Sequence, residues 1–351
     1  MKRSIINDII TAKEKQVTQS GICFSYSMNE QTSDEIGQRA LKSRVCECNT
    51  KEYKLTTKEP GKMGKFKLIT DTAADLPKNY LEQYDIDVMS LAYMIDNATY
   101  NWSNPMDEHE FYEKMRGGSM PTTSQVNISD ATAIFENLIR ENDEILCVSF
   151  SSGLSGTYNS VAVAAQNICE ENPGKKICVI DSKAASLGQG LMVEYARKMR
   201  DEGKTIDETA DFLEQNLNHF THVFTVDDLN HLYRGGRVSR ATAFVGTLAN
   251  IKPILHVDDE GHLINIGKVR GRKKSLLELV NLMEQKIGDH IKDNKTVFIS
   301  HGDSLEDAEF VAEEVKKRFG IESFLINYVG PTIGAHSGPG TIALFFYGNE
   351  R

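Results

Sequence analysis

Glu144-Ile-Leu-Cys-Val-Ser-Phe150 runs directly into Ser151-Ser-Gly-Leu-Ser-Gly-Thr157. The first stretch is an almost unbroken apolar run, the pattern of a parallel strand covered on both faces. The second is a hydroxyl- and glycine-rich turn, after which residues 155–171 place Ala and Val at helical spacing. The same rhythm of strand, polar turn and helix recurs on both sides. Upstream, Phe66-Lys-Leu-Ile-Thr70 ends in Asp71-Thr-Ala-Ala-Asp-Leu-Pro77, and Val88-Met-Ser-Leu-Ala-Tyr-Met-Ile95 reads as one further strand. Downstream, Lys176-Ile-Cys-Val-Ile-Asp181 leads through a polar loop to Gly190 and a helix over 188–202, which stops at Gly203, a natural C-cap. Thr205-Ile-Asp-Glu208 is a capping box that opens the next helix. The repeated unit predicts an α/β domain over 63–225 built on a doubly wound, mostly parallel sheet.

A smaller two-layer α/β domain is expected over 226–351. Leu276, Leu279, Val280, Met283 and Ile287 form one helical stripe, and Phe310, Val311, Val315 and Phe319 a second. Both read as core-facing. Residues 296–299, 324–329 and 341–346 read as strands. Residues 1–62 are polar, poor in aromatics and without sustained period, which predicts either a mobile extension or a chain whose true start is Met63.

The whole chain carries a net charge of −10, which argues against general nucleic-acid binding. No run approaches the length needed to span a bilayer, and the N-terminal pattern is too short for a secretory signal. A cytoplasmic protein with reduced cysteines is the expectation, with Cys147 and Cys178 in the core. Cys46 and Cys48 have no second pair at metal spacing, so no metal site is expected. One region departs from the acidic balance. Residues 231–275 hold nine Lys or Arg against three acids. That island is either a solvated face or a docking surface.

The polar loops are where chemistry would sit. In an open parallel sheet the carboxyl ends of the strands line the ligand crevice. The loops at Asp71–Pro77, Ser151–Thr157 and Asp181–Gly190 should meet there, joined by Pro121-Thr-Thr-Ser-Gln125. Hydroxyls and the free N–H groups at helix starts suit an anion. Each loop taken singly is better explained by caps and turns; all of them at one sheet edge favour a ligand. No phosphate-binding loop and no dinucleotide fingerprint is present. His336 lies in Gly334-Ala-His-Ser-Gly-Pro-Gly340, read as a loop before a strand. Two hydroxyls and an imidazole holding a carboxylate or phosphate is the simplest chemistry on offer.

Five motifs in order resemble the DegV family: Asp71–Pro77, Thr123-Ser-Gln125, Ser151–Tyr158, Gly235-Gly-Arg-Val-Ser239 and Gly334–Gly340. The resemblance covers 63–351 and implies the DegV fold, with a long-chain fatty acid in an apolar tunnel. It implies a carrier with no catalytic residues or cofactor of its own, like the FakB-type subunits of bacterial fatty acid kinase. The carboxylate would be bound by Thr123, Ser155 and His336, with Ser124, Ser152, Gly156, Thr157 and Gly334 in the supporting loops. A separate FakA-type kinase subunit would phosphorylate the presented carboxylate to an acyl phosphate for phospholipid synthesis. On that scheme Arg237, Lys268, Arg270 and Arg272 would dock the kinase, and transient membrane contact would serve lipid exchange. Two rivals stand beside it. One is an acyl hydrolase using Ser155 as nucleophile and His336 as base, although Gly-Leu-Ser-Gly-Thr is an incomplete elbow. The other is a regulatory module that binds a phosphosugar or another polar metabolite. A monomer is the default.

Overall fold

The computed structural model describes residues 66–239 and 250–351. Residues 1–62, expected as an extension or as preceding a start at Met63, lie outside the described residues. In chain order the strands are β1 Lys67–Asp71, β2 Ile86–Met89, β3 Ala92–Ile95, β4 Ala98–Tyr100, β5 Thr122–Ser124, β6 Glu144–Ser149, β7 Lys176–Asp181, β8 Phe220–Thr225, β9 Ile251–Val257, β10 Leu263–Arg270, β11 Val297–His301, β12 Phe324–Tyr328 and β13 Ile342–Tyr347.

The first sheet is all parallel, in the order β2-β1-β6-β7. Its strands alternate between two apolar layers. Ile69, Ile145, Cys147 and Val179 face the helices Ile128–Leu138 and Thr157–Glu171, packing with Phe135, Val161 and Ile168. Leu68, Leu146, Val148 and Ile180 face the opposite way, against Leu191, Ala196 and Leu213 of Leu187–Asp201 and Ile206–Gln215. Cover on both faces is why these strands read as continuous apolar runs. The capping box at Thr205 is formed as the sequence predicts.

The second sheet has six strands in the order β10-β9-β8-β13-β11-β12, parallel only between β11 and β12. The helices Arg272–Lys286 and Leu305–Phe319 bury the two predicted stripes on one face, against Val223, Ile299 and Leu344. The other face, carrying Phe220, Phe224 and Phe345, packs on Leu187–Asp201. That helix lies between the two sheets, so Leu191, Met192, Val193 and Ala196 are all buried. Each such side chain contributes roughly 1.5–3 kcal/mol when fully buried, Ala less. The change of unit expected at 225/226 falls directly after β8, which belongs to the six-stranded sheet.

A third sheet, β4-β3-β5, is antiparallel and small. It corrects one expectation. Residues 88–95 are not one strand but the end of β2 and all of β3, in different sheets. The break has a local cause. The Leu91 N–H donates to Thr72 Oγ1 (3.0 Å) instead of to a ladder partner, and Ser90 Oγ turns back to the Leu91 carbonyl (3.0 Å). A second correction concerns Gly334–Gly340. His336 is on a helix, Pro331–Ser337, which starts with Pro at its first turn and stops at Gly338 (φ +81°).

Candidate functional site

A cavity with about 1000 Å³ of space, counting its open mouth, lies where the three sheets meet. Its wall takes Thr123 from β5, Phe150 and Ser155 from the loop that follows β6, and Phe224 and Phe345 from β8 and β13. The wall is mostly apolar, as in sites for small organic ligands.

The polar groups gather in one place. Thr123 is held on β5 by pairing with Tyr93 of β3. Its Oγ1 lies 2.8 Å from His336 Nε2. Burial, with the Arg237 charge adding to it, pulls the His336 pKa down to about 4. The ring is therefore neutral at neutral pH, with one N–H and one lone pair. Gly235 makes the seat for this ring, since a Cβ there would overlap Nδ1. Ser155 follows the β6 strand. Its N–H donates to the Ser151 carbonyl (3.0 Å). Its Oγ accepts from the Thr157 N–H (3.2 Å) at the start of the helix Thr157–Glu171, and sits 2.9 Å from Thr157 Oγ1. Thr157 Oγ1 in turn accepts from the Val126 N–H (3.3 Å). The positive end of a long helix thus backs the serine.

Which group donates in these contacts depends on the His336 tautomer and on hydroxyl rotation. With the Nε2–H tautomer His336 donates to Thr123 Oγ1, and with Thr157 Oγ1 as donor Ser155 Oγ accepts. In that arrangement each hydroxyl keeps its own proton for an anion in the cavity.

Other expected residues fall differently. Ser124 and Gly156 line the cavity, and a Cβ on Gly156 would overlap Gln125. Ser152 is held elsewhere, accepting from Lys183 Nζ (2.7 Å) and donating its N–H to Asp181 (3.1 Å). Gly334 is buried under Tyr112, whose hydroxyl donates to the Val329 carbonyl (2.7 Å). The basic island is divided. Lys268 and Arg270 are exposed on β10, the edge of its sheet. Arg272 is half-buried and paired with Asp227 (3.2 Å) and Asp307 (2.8 Å). Arg237 is not on that surface strip. It lines the cavity, donating to the carbonyls of Leu154 (3.2 Å) and Gly235. Its charge lies beside the hydroxyls, a neighbour that counting charges along the chain could not locate.

The hydrolase pairing is not present. His336 Nε2 partners Thr123, and Ser155 Oγ partners Thr157. Among the described residues no three His, Cys, Asp or Glu side chains gather as a metal site, and no helix is long and apolar enough to cross a membrane.

One wall residue had no signal in the sequence reading. His222 of β8 is fully buried, lines the cavity, and has neither ring nitrogen hydrogen-bonded among the described residues. An unmet buried polar group costs about 1–3 kcal/mol. A histidine in a strand of Phe, Val and Thr was the available clue.

Comparison with known proteins bears on family and fold. Residues 65–349 match the family described as uncharacterised protein, DegV family. A DegV domain-containing protein of Clostridium perfringens is 44% identical over 291 residues, spanning 82% of this chain and 99% of the relative. The chain belongs to the DegV family. Solved DegV structures share its fold. A Thermus thermophilus DegV-family protein, described for fatty acid binding, superposes with a TM-score of 0.72 at 31% identity, covering 81% of this chain and all of the other. DegV of Bacillus subtilis, a fatty acid binding protein, gives 0.70 at 30% over 80% of this chain and 98% of its own. A Eubacterium eligens DegV protein loaded with heptadecanoic acid gives 0.72 at 25%, over 81% and 99%.

Proposed function

We propose that this chain binds a long-chain fatty acid in the cavity, holds its carboxylate with Thr123, Ser155 and His336, and presents it to an ATP-dependent kinase subunit that forms the acyl phosphate. The observation that carries the reading is that Thr123, its Oγ1 against His336 Nε2, and Ser155, its Oγ against Thr157 Oγ1, both line one mostly apolar cavity. The acyl chain supplies affinity at about 0.8 kcal/mol per buried CH₂. The hydroxyls and the Arg237 charge then offset the desolvation of the carboxylate. A neutral imidazole supports Thr123 without taking the carboxylate's proton balance out of range. The exposed Lys268 and Arg270 suit an acidic partner surface and would raise its rate of encounter.

The test is direct. The chain purified from bacteria is denatured, and its lipid extract is analysed by mass spectrometry. One fatty acid per protein is expected, lost in the Thr123→Ala/Ser155→Ala double variant. A folded protein that yields no fatty acid and takes up no added oleate would overturn the reading. For the kinase step, Lys268→Ser/Arg270→Ser should slow acyl phosphate formation with lipid binding intact; an equal loss of both would exclude docking at β10.

A further inference from the structure

A second cavity, with about 720 Å³ of space counting its open mouth, adjoins the first, and Leu91 and Thr332 line both. The two differ in charge. Among the described residues the first is lined by Arg237, His222 and His336 and by no Asp or Glu. The second is lined by Asp71, Asp75 and Glu108 and by no Lys, Arg or His.

The three acids act differently. Glu108 opens the helix Glu108–Arg116 with its side chain exposed, and it takes part in no ion pair among the described residues. It is the carboxylate a ligand can touch. Asp71 is buried and works through its field. Burial pushes its carboxyl up to about 6 against the hydrogen bonds that favour the charge, so it is ionised at neutral pH. Its donors, Phe150 N–H, Ala73 N–H, Ser149 and Gln189, are all neutral and leave that charge uncompensated. Asp75, pushed up to about 8 by burial, stays largely protonated and adds little. Two phenols on the same wall sense the same surroundings. Burial raises the pKa of Tyr93 and of Tyr328, and negative neighbours, Glu108 among them, raise both further.

The wall also carries Trp102, the one tryptophan of the chain, 40% exposed and absent from the lining of the first cavity. Its backbone N–H donates to Ser90 Oγ (2.9 Å), which fixes the turn that presents the ring. Leu76, Leu81, Val88 and Met106 supply apolar wall. An open indole face beside a carboxylate suits an organic cation, whose charge is met by the acid and the ring and whose body packs on apolar wall. An anion would face the Glu108 and Asp71 charges with no cation on the wall. A bare metal ion is not fitted, since among the described residues no three His, Cys, Asp or Glu side chains gather.

We propose that this second pocket binds a small organic cation, an ammonium group carried on an alkyl or aromatic body, with the charge at Glu108 and the body against Trp102. The site stands apart from the fatty-acid reading and does not depend on it.

The experiment is a fluorescence titration of the full chain as purified, in which Trp102 is the sole indole reporter. The probes are phenethylamine and hexylamine, with 2-phenylethanol and 3-phenylpropionate as the neutral and anionic counterparts. Both amines should give a saturable change in Trp102 emission, and the alcohol and the acid should bind far more weakly. Glu108→Gln should weaken amine binding about tenfold, the loss of one charge-assisted hydrogen bond. No saturable change with either amine would overturn the proposal, as would an alcohol that binds as tightly as its amine, or amine affinity unchanged in Glu108→Gln. If Glu108→Gln does not fold, the wild-type series decides: ammonium ahead of alcohol and acid sustains the site, and equal or absent binding rejects it.

Discussion

Two polar clusters stand at the same edge of the parallel sheet and use their hydrogen bonds differently. At the end of β1, Asp71 accepts from the N–H groups of Phe150 (2.8 Å) and Ala73 (3.0 Å), from Gln189 (3.2 Å) and from Ser149 (3.2 Å). Asp75 accepts from Ser186, whose hydroxyl also meets Ser300 of β11 at 2.8 Å. This cluster ties β1 to β6 and one sheet to the other. At Thr123, His336 and Ser155, by contrast, the bonds form short relays that end at a cavity. The sequence reading put all of these loops at one ligand crevice. The structure separates them by position: the Asp71 and Asp75 carboxyls are buried in bonds between strands and sheets, whereas Thr123, Ser155 and His336 line the cavity. Residue type alone does not tell the two clusters apart.

That contrast can be broken by substitution. Asp71→Ala leaves two backbone N–H groups and the Ser149 hydroxyl without an acceptor, and should cost about 3 kcal/mol of stability in denaturant unfolding. A variant as stable as wild type would show that the β1 cluster does not stitch the sheets. The next effect depends on pH. Burial pushes the Asp75 carboxyl up to about 8, against an opposing hydrogen bond from Ser186. The fold binds this proton more tightly than the unfolded chain does, so the contribution is complete at low pH and is lost as pH rises towards about 8. Between pH 6 and 8 wild type should lose about 2 kcal/mol, and Asp75→Asn should flatten that part of the curve. Equal slopes would remove Asp75 as the cause.

At the cavity the expected pattern is reversed, with binding affected and stability spared. Thr123→Ala and Ser155→Ala should each weaken fatty-acid binding about tenfold, or about 1.4 kcal/mol. Unfolding should shift by only about 1 kcal/mol, the cost of the lost helix-start or part-buried hydrogen bond. A large stability loss with normal binding would make these residues stitches too. The smallest effect belongs to the exposed β10 strip: Lys268→Ser/Arg270→Ser should change neither stability nor lipid affinity beyond about 0.5 kcal/mol, as read by the same two assays.

Much of the fold was legible because burial on both faces leaves a plain trace. Residues 144–150 and 176–181 read as strands for that reason, and Thr205 announced its helix by its own capping chemistry. What was missed depended on distant contacts. Thr72 takes the Leu91 N–H and so divides residues 88–95, which local pattern cannot foresee. β8 hid because Thr221, His222 and Thr225 are polar yet buried. The helix under His336 looked like a loop because its Gly334 gives way to the Tyr112 side chain. For the site, the residues alone offered hydroxyls and an imidazole, and the family motifs selected Thr123, Ser155 and His336. Arg237 was grouped with surface charges because a sum along the chain carries no information about depth.

The cavity wall combines Thr123 of β5, Phe345 of β13 and Phe150 in the loop that follows β6. Moving either strand or that loop away takes the wall apart. Whatever fills it therefore recognises only the folded chain, and mass action couples occupancy to folding. A ligand at a hundred times its dissociation constant adds about 2.7 kcal/mol. On the proposed function a bound lipid would act as a removable part of the core, and delipidation alone should be visible as a fall in melting temperature.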